Sequence, residues 1–221
     1  MRLQHLPKLG AFLFSLCLLA ALIVPAQAAT TTEAKPNLVF LPLIASGGVT
    51  APAPQPSAFE ALVASVTNGQ ADVVTGAYVA DVLALAVTQQ PVNDPAYVSS
   101  APDVATQFQM AEIFGVTGLL AHNSAAGANF FGLAVGQEAQ IIYGDGTVQR
   151  YHISRIERFQ ALDPDNPSTD FVDLQTGATL SAADVFNQVY TDAGNLVFQT
   201  CIANNGNASW GRLFVVAEPV N

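Results

Sequence analysis

The stretch "QEAQIIYGDGTVQRYHISRIERFQA", residues 137–161, constrains the fold more than any other part of the chain. Two runs rich in β-branched and aromatic residues flank Gly144-Asp145-Gly146. Such side chains pack well on a pleated surface and lose rotamer freedom in a helix. Asp-Gly accepts the positive φ that a tight hairpin turn demands. The stretch therefore predicts an antiparallel hairpin, and a hairpin with apolar faces needs further strands to cover it.

Other segments supply those strands. "AYVADVLALAVTQQP", residues 77–91, alternates large Leu83, Leu85 and Val87 with Ala84 and Ala86 and reads as strand-like, with one face packed more heavily. A strand ends near Ala121, "GNLVFQTC" is another, and "RLFVVAEP" closes the chain as one more. Helical signals are few. Phe59, Leu62, Val63 and Val66 follow the i, i+3, i+4, i+7 spacing after Ser57, and Asn68-Gly69 ends that run. Ser181 and Asp184 have capping-box spacing. "ATQFQMAEIFG", 105–115, reads as a short helix. "NDPAYVSSAPDV" and the acidic "LDPDNPSTD" read as loops by their prolines, the latter as a solvated loop. No internal repeat is present. Many short strands with few short helices predict an all-β barrel or sandwich.

The ends carry different signals. Residues 1–28 read as a secretory signal: Arg2 and Lys8 precede the apolar "LGAFLFSLCLLAALIVP", and Ala26-Gln27-Ala28 is an A-x-A cleavage site. The alternative is an uncleaved N-terminal anchor, for which the apolar run is slightly short. Residues 29–57 read as a Pro/Ala-rich linker that includes the apolar "LVFLPLI". The folded domain is then 58–221.

Export bears on the cysteines. Removing 1–28 takes Cys17 with it and leaves Cys201 as the single cysteine, with His122 and His152 the two remaining histidines. One cysteine cannot make an internal disulfide, so the odd thiol is either a small buried hydrophobe or a nucleophile. Charge excludes other functions. The whole chain carries a formal net charge of -10 with 7 Lys+Arg. No basic patch exists to neutralise nucleic-acid phosphates or to hold an anionic membrane surface. A metal site is poorly supported, because His122, His152 and Cys201 have no ligand spacing, and no cofactor signature occurs.

Cysteine catalysis needs a nucleophilic sulfur, a proton carrier and a group for the oxyanion. Cys201 and Arg212 end one strand and begin the next. If those strands pair, both side chains reach one mouth of a barrel. An arginine fork suits a developing oxyanion. His122 leaves its strand into the loop "HNSAAG", where a loop histidine is either a site residue or simply hydrogen-bonded.

Taken together, "LLAHNSAAG", "FFGLAVGQEAQIIY", "LVFQTC" and "WGRLFVVAEP" resemble the sortases, extracytoplasmic cysteine transpeptidases of bacterial surfaces. The order His, then Cys in a TLxTC motif, then Arg is matched by His122, Cys201 and Arg212. Thr200 and Cys201 match TLxTC, while Val197 and Phe198 depart from it. The likeness covers roughly residues 75–218. It implies a sortase-type closed β-barrel of about eight strands. It implies cleavage of an LPxTG-like sorting signal by Cys201, proton transfer by His122 and oxyanion stabilisation by Arg212. Thr200 would place the nucleophile or contact the substrate. The implied partners are surface proteins bearing that signal and a cell-wall or pilin-like amine acceptor. The alternatives are a protein of this fold that mainly hydrolyses, and a secreted binding or adhesion module of the same fold without catalysis.

Overall fold

A computed structural model describes residues 55–220. The signal segment and nearly all of the linker, including "LVFLPLI", lie outside the described residues.

Among the described residues the first element is α1 (Ala58–Val66), capped as its sequence predicts: Ser57 Oγ accepts from the Glu60 amide, and Glu60 reaches back to the Ser57 amide. Ten strands follow. They are β1 (Val74–Val79), β2 (Leu83–Gln89), β3 (Val104–Gln107), β4 (Thr117–Leu120), β5 (Glu138–Tyr143), β6 (Val148–Ala161), β7 (Phe171–Asp173), β8 (Thr179–Leu180), β9 (Leu196–Asn204) and β10 (Asn207–Pro219). Helix α2 (Gln109–Glu112) lies between β3 and β4, a 3₁₀ segment (Ala126–Gly132) between β4 and β5, and α3 (Ala182–Tyr190) between β8 and β9.

Eight strands close on themselves in the order β10-β9-β4-β3-β2-β1-β5-β6, and β6 pairs back to β10. The β7–β8 hairpin extends from the far end of β6. Most neighbours are antiparallel, but β2–β3 and β4–β9 are parallel. Closure removes the unpaired edges that an open sheet would expose. Of the barrel and the sandwich that the strands alone left open, this is the closed barrel of about eight strands that the resemblance implies.

The β5–β6 hairpin forms where predicted, with Ile142 opposite Val148 and Gly146 at φ +86° in the turn. The strand-like stretch 77–91 holds the end of β1 and all of β2. It turns at Val79–Val82, where the Val82 amide donates to the Val79 carbonyl and Asp81 takes φ +61°. Asp is among the few side chains that accept this conformation, and the alternating pattern runs through the turn without marking it. Residues 105–115, read as one helix, divide into β3 and the single turn of α2. Pairing of β3 with β2 and β4 overrides the weak helical spacing.

Strand alternation builds two cores. Leu196 and Phe198 of β9 point into the barrel with Leu213, Val215 and Ala217 of β10, Ile141 of β5 and Ile153 of β6. Val197, Phe214 and Val216 point outwards with Phe108, Phe159 and Phe171, beneath Val185, Val189 and Tyr190 of α3. Helix α3 carries the predicted capping box, with Ser181 Oγ accepting from the Asp184 amide. Its far end is fastened to β6: Arg155 Nη2 donates to the Gln188 carbonyl at 3.1 Å, and Gln188 Nε2 donates to Glu157 at 2.8 Å.

Candidate active site

The site is built on three neighbouring strands, with β9 in the middle. Cys201 of β9 lies directly opposite Arg212 of β10 in antiparallel register. Directly opposed residues present their side chains on the same face, with Cβ atoms about 5 Å apart. On the other side of β9 the parallel ladder runs Thr117–Leu196 to Leu120–Gln199, and the Ala121 amide continues it by donating to the Gln199 carbonyl. Continued two steps past the ladder's end, that register would set His122 level with Cys201. Val197 and Phe214 belong to the outer core, so strand parity puts Cys201 and Arg212 on the outer face, with His122 at the β4 exit completing the row.

This differs from a shared barrel mouth. The mouth at this end is filled by the 3₁₀ segment, whose Phe130 ring packs edge-on against Phe198 with centroids 5.2 Å apart. Parity does the rest: Phe198 and Thr200 face inwards, so Cys201 faces out.

Each member of the row is held by its surroundings. The His122 carbonyl accepts from the Ala125 and Gly127 amides, at 2.9 and 3.0 Å. The imidazole Nε2 lies 3.3 Å from the Val98 carbonyl oxygen, which can only accept a hydrogen bond. Arg212 is 5% exposed. Its Nη1 donates to the carbonyls of Ser209 and Gly211, both at 2.9 Å. Its guanidinium carbon stands 6.0 Å from the centre of the Phe171 ring, a cation–π arrangement. Cys201 is half-buried beside them.

Thr200 lies on the opposite face of β9. It is 2% exposed, and its hydroxyl donates to the Ala121 carbonyl at 2.8 Å. Its contact is therefore with the residue preceding His122, and a direct substrate contact is not what this placement offers. Gly127 completes the packing here. A Cβ on it would fall 2.3 Å from Thr200 Oγ1 and 2.7 Å from the carbonyl oxygens of Ala121 and His122.

Sequence reasoning passed over two contributors. Gln199 shares the outer face with Cys201, and its Oε1 accepts from the buried Tyr190 hydroxyl at 2.5 Å. Burial pushes the Tyr190 phenol well above its ordinary range, so it stays a donor. A polar residue inside an otherwise apolar strand was the available signal. Asn123, next to His122, donates through Nδ2 to the Ala208 carbonyl at 2.9 Å. Nothing in its sequence context marks that bond.

His152 is elsewhere. It is exposed on β6 between Glu138 and Glu218. Phe159, the β6 residue opposite Arg212, is seven positions further along the strand, about 23 Å away. Among the described residues, no group of three or more His, Cys, Asp or Glu could hold a metal ion, and no helix is long and apolar enough to cross a membrane.

No protein-family model matches this chain. No curated protein matches it either. Solved structures do. Sortase A of Listeria monocytogenes aligns with a TM-score of 0.39 and 13% identity, over 68% of this chain and 89% of that one. The Clostridium perfringens sortase D5 transpeptidase aligns with a TM-score of 0.42 and 14% identity, over 68% and 80%. Sortase C1 of Streptococcus agalactiae aligns with a TM-score of 0.41 and 12% identity, over 66% of each chain. These three structures are sortases of more than one class.

Proposed function

We propose that this protein is an extracytoplasmic, sortase-like cysteine transpeptidase. The observation that carries the reading is the row on the outer face: Cys201 opposite Arg212, with the β4 exit bearing His122 on the other flank. The sequence motifs point to the same three residues in the same order.

In this reading the Cys201 thiol passes its proton to His122, and the thiolate Sγ attacks the carbonyl carbon of the Thr–Gly bond in an LPxTG-like signal. The carbonyl π pair moves onto oxygen, and Arg212 faces the resulting oxyanion. When the pair returns, the C–N bond breaks and His122 gives a proton to the departing amine. A thioester on Cys201 remains. His122 then takes a proton from an incoming amine, which attacks the thioester and expels the sulfur. Water in place of the amine gives hydrolysis. The acceptor is an amine of the cell wall or of a pilin-like protein. Thr200 acts from behind the site, by fixing the residue before His122. Residues 1–28 serve as the secretory signal and 29–57 as the linker that spaces the domain from the cell surface.

The test is to incubate residues 29–221 with LPxTx-type peptides and hydroxylamine, and to follow Cys201 by mass spectrometry. A thioester adduct on Cys201 and a hydroxamate product are expected, both lost in Cys201→Ala. A Cys201 that never forms an adduct with any such peptide returns the protein to the binding-module reading.

A further inference from the structure

The register of β10 against β9 slips between Asn207 and Gly211, so Ala208–Trp210 form a bulge just before Arg212. Bulges re-aim the residues that follow them and recur beside active sites. Three contacts hold this one. The Ser209 amide donates to Asn207 Oδ1 at 2.8 Å. The Ser209 carbonyl accepts from Arg212 Nη1. The carbonyl just before it, Ala208, accepts from Asn123 Nδ2 across 85 residues of chain. Gly211 closes the bulge against β6, where a Cβ would fall 2.5 Å from the Phe159 carbonyl oxygen.

Asn123 is thus joined covalently to His122 and by a hydrogen bond to the peptide unit adjoining the one that receives Arg212. The path Asn123–Ala208–Ser209–Arg212 crosses over the end of the strand that carries Cys201. The rest of the His122 loop is secured on the barrel side, through Gly127 and Thr200. Asn123 ties it to β10.

We infer that Asn123 is a positioning residue, which fixes the spacing between the His122 loop and the Arg212 strand through the bulge at Ala208–Trp210. The inference rests on the transpeptidase reading above. Asn123 acts through the bulge and through His122, and it has no role in bond making.

The bulge holds its own reporter, because Trp210 is the chain's one tryptophan. Three variants separate shape from hydrogen bonding. Asn123→Ala removes the side-chain amide, Asn123→Asp keeps its shape without an N–H donor, and Asn123→Gln keeps a donor. Two measurements are made on residues 29–221. The first is acrylamide quenching of Trp210 fluorescence, which needs no substrate. The Ala and Asp variants are expected to quench about twofold more readily, and the Gln variant to stay near wild type. The second is hydroxylaminolysis of a Leu-Pro-Glu-Thr-Gly peptide. A loss of about tenfold in kcat is expected for Ala and Asp, with KM within about twofold and partial recovery in Gln, because misplacement costs turnover before it costs binding. Unchanged quenching in Ala and Asp would overturn the tie. Wild-type turnover with unchanged kcat in both variants would overturn the positioning role and leave the transpeptidase reading intact. Absence of turnover and of any Cys201 adduct in the wild type would sink that reading, and the positioning role with it.

Discussion

Arg212 stands directly across the β9–β10 ladder from Cys201, and its Nη1 is already directed at two backbone carbonyls of its own strand. The guanidinium is therefore oriented by the protein before any substrate arrives. A lysine would keep the charge but could not span those carbonyls and face an oxyanion at once. Arg212→Lys is expected to lower kcat/KM by about a hundredfold or more, the size of a lost oxyanion donor. Peptide turnover measured beside circular dichroism checks this. A lysine variant near the wild-type rate would make Arg212 structural.

The two histidines are expected to behave differently. His122→Ala abolishes both peptide cleavage and amine transfer. His152→Ala retains most activity, because His152 sits on another part of β6 between two glutamates. Steady-state assays on both variants decide it, with folding monitored in parallel. An essential His152 would mean that the proton carrier has been misassigned.

The packing behind His122 predicts a stability effect that carries function with it. Gly127→Ala inserts a methyl group where Thr200 Oγ1 and two carbonyl oxygens already lie. Overpacking of this kind costs about 1–3 kcal/mol. The displaced groups include the His122 carbonyl, so activity is expected to fall further than the lost folded fraction explains. Thr200→Val removes the donor to Ala121 for about 1 kcal/mol, while Thr200→Ser keeps it. Chemical denaturation of the three variants, set against their kcat values, tests the pair. Equal behaviour of the Val and Ser variants would remove the hydroxyl from the account.

Alkaline pH offers a test without substrate. Burial, with the Tyr143 phenol adding to it, pushes the Tyr151 phenol from 10.0 up to about 12, and burial raises Tyr190 as well. A folded pKa above the unfolded value contributes stability that is complete below about pH 10 and is lost as pH rises through about 12. For Tyr151, 4% exposed, the difference is on the order of 3 kcal/mol. Absorbance at 295 nm is expected to show a late tyrosine phase that coincides with unfolding, and Tyr151→Phe is expected to flatten the loss of stability in that window. A Tyr151→Phe variant whose stability falls as steeply as the wild type would contradict it.

Much of this architecture is legible in the residues. The capping boxes at Ser57 and Ser181 and the Asp145-Gly146 hairpin are local, and each forms where its own chemistry dictates. The turn at Asp81 and the division of 105–115 were hidden because pairing across the barrel decides them. The site follows the same rule. Cys201 and Arg212 announce themselves as an odd cysteine and an arginine eleven residues on. Which face they take depends on strand parity and on the 3₁₀ segment that fills the mouth. Asn123 and Gln199 matter through partners far away in the chain, and composition carries no trace of such bonds.

The insertion of β9 between β4 and β10 has a consequence for timing. The bond from Thr200 to Ala121 spans 79 positions, and the barrel closes only when β10 reaches β6. Contacts of such separation form late, after their loop-closure entropy has been met. During synthesis His122 emerges early and waits, while sulfur and guanidinium arrive together with the last two strands. A half-made chain holds His122 without Cys201 or Arg212. A protease that trims β10 removes Arg212 and opens the barrel in one cut.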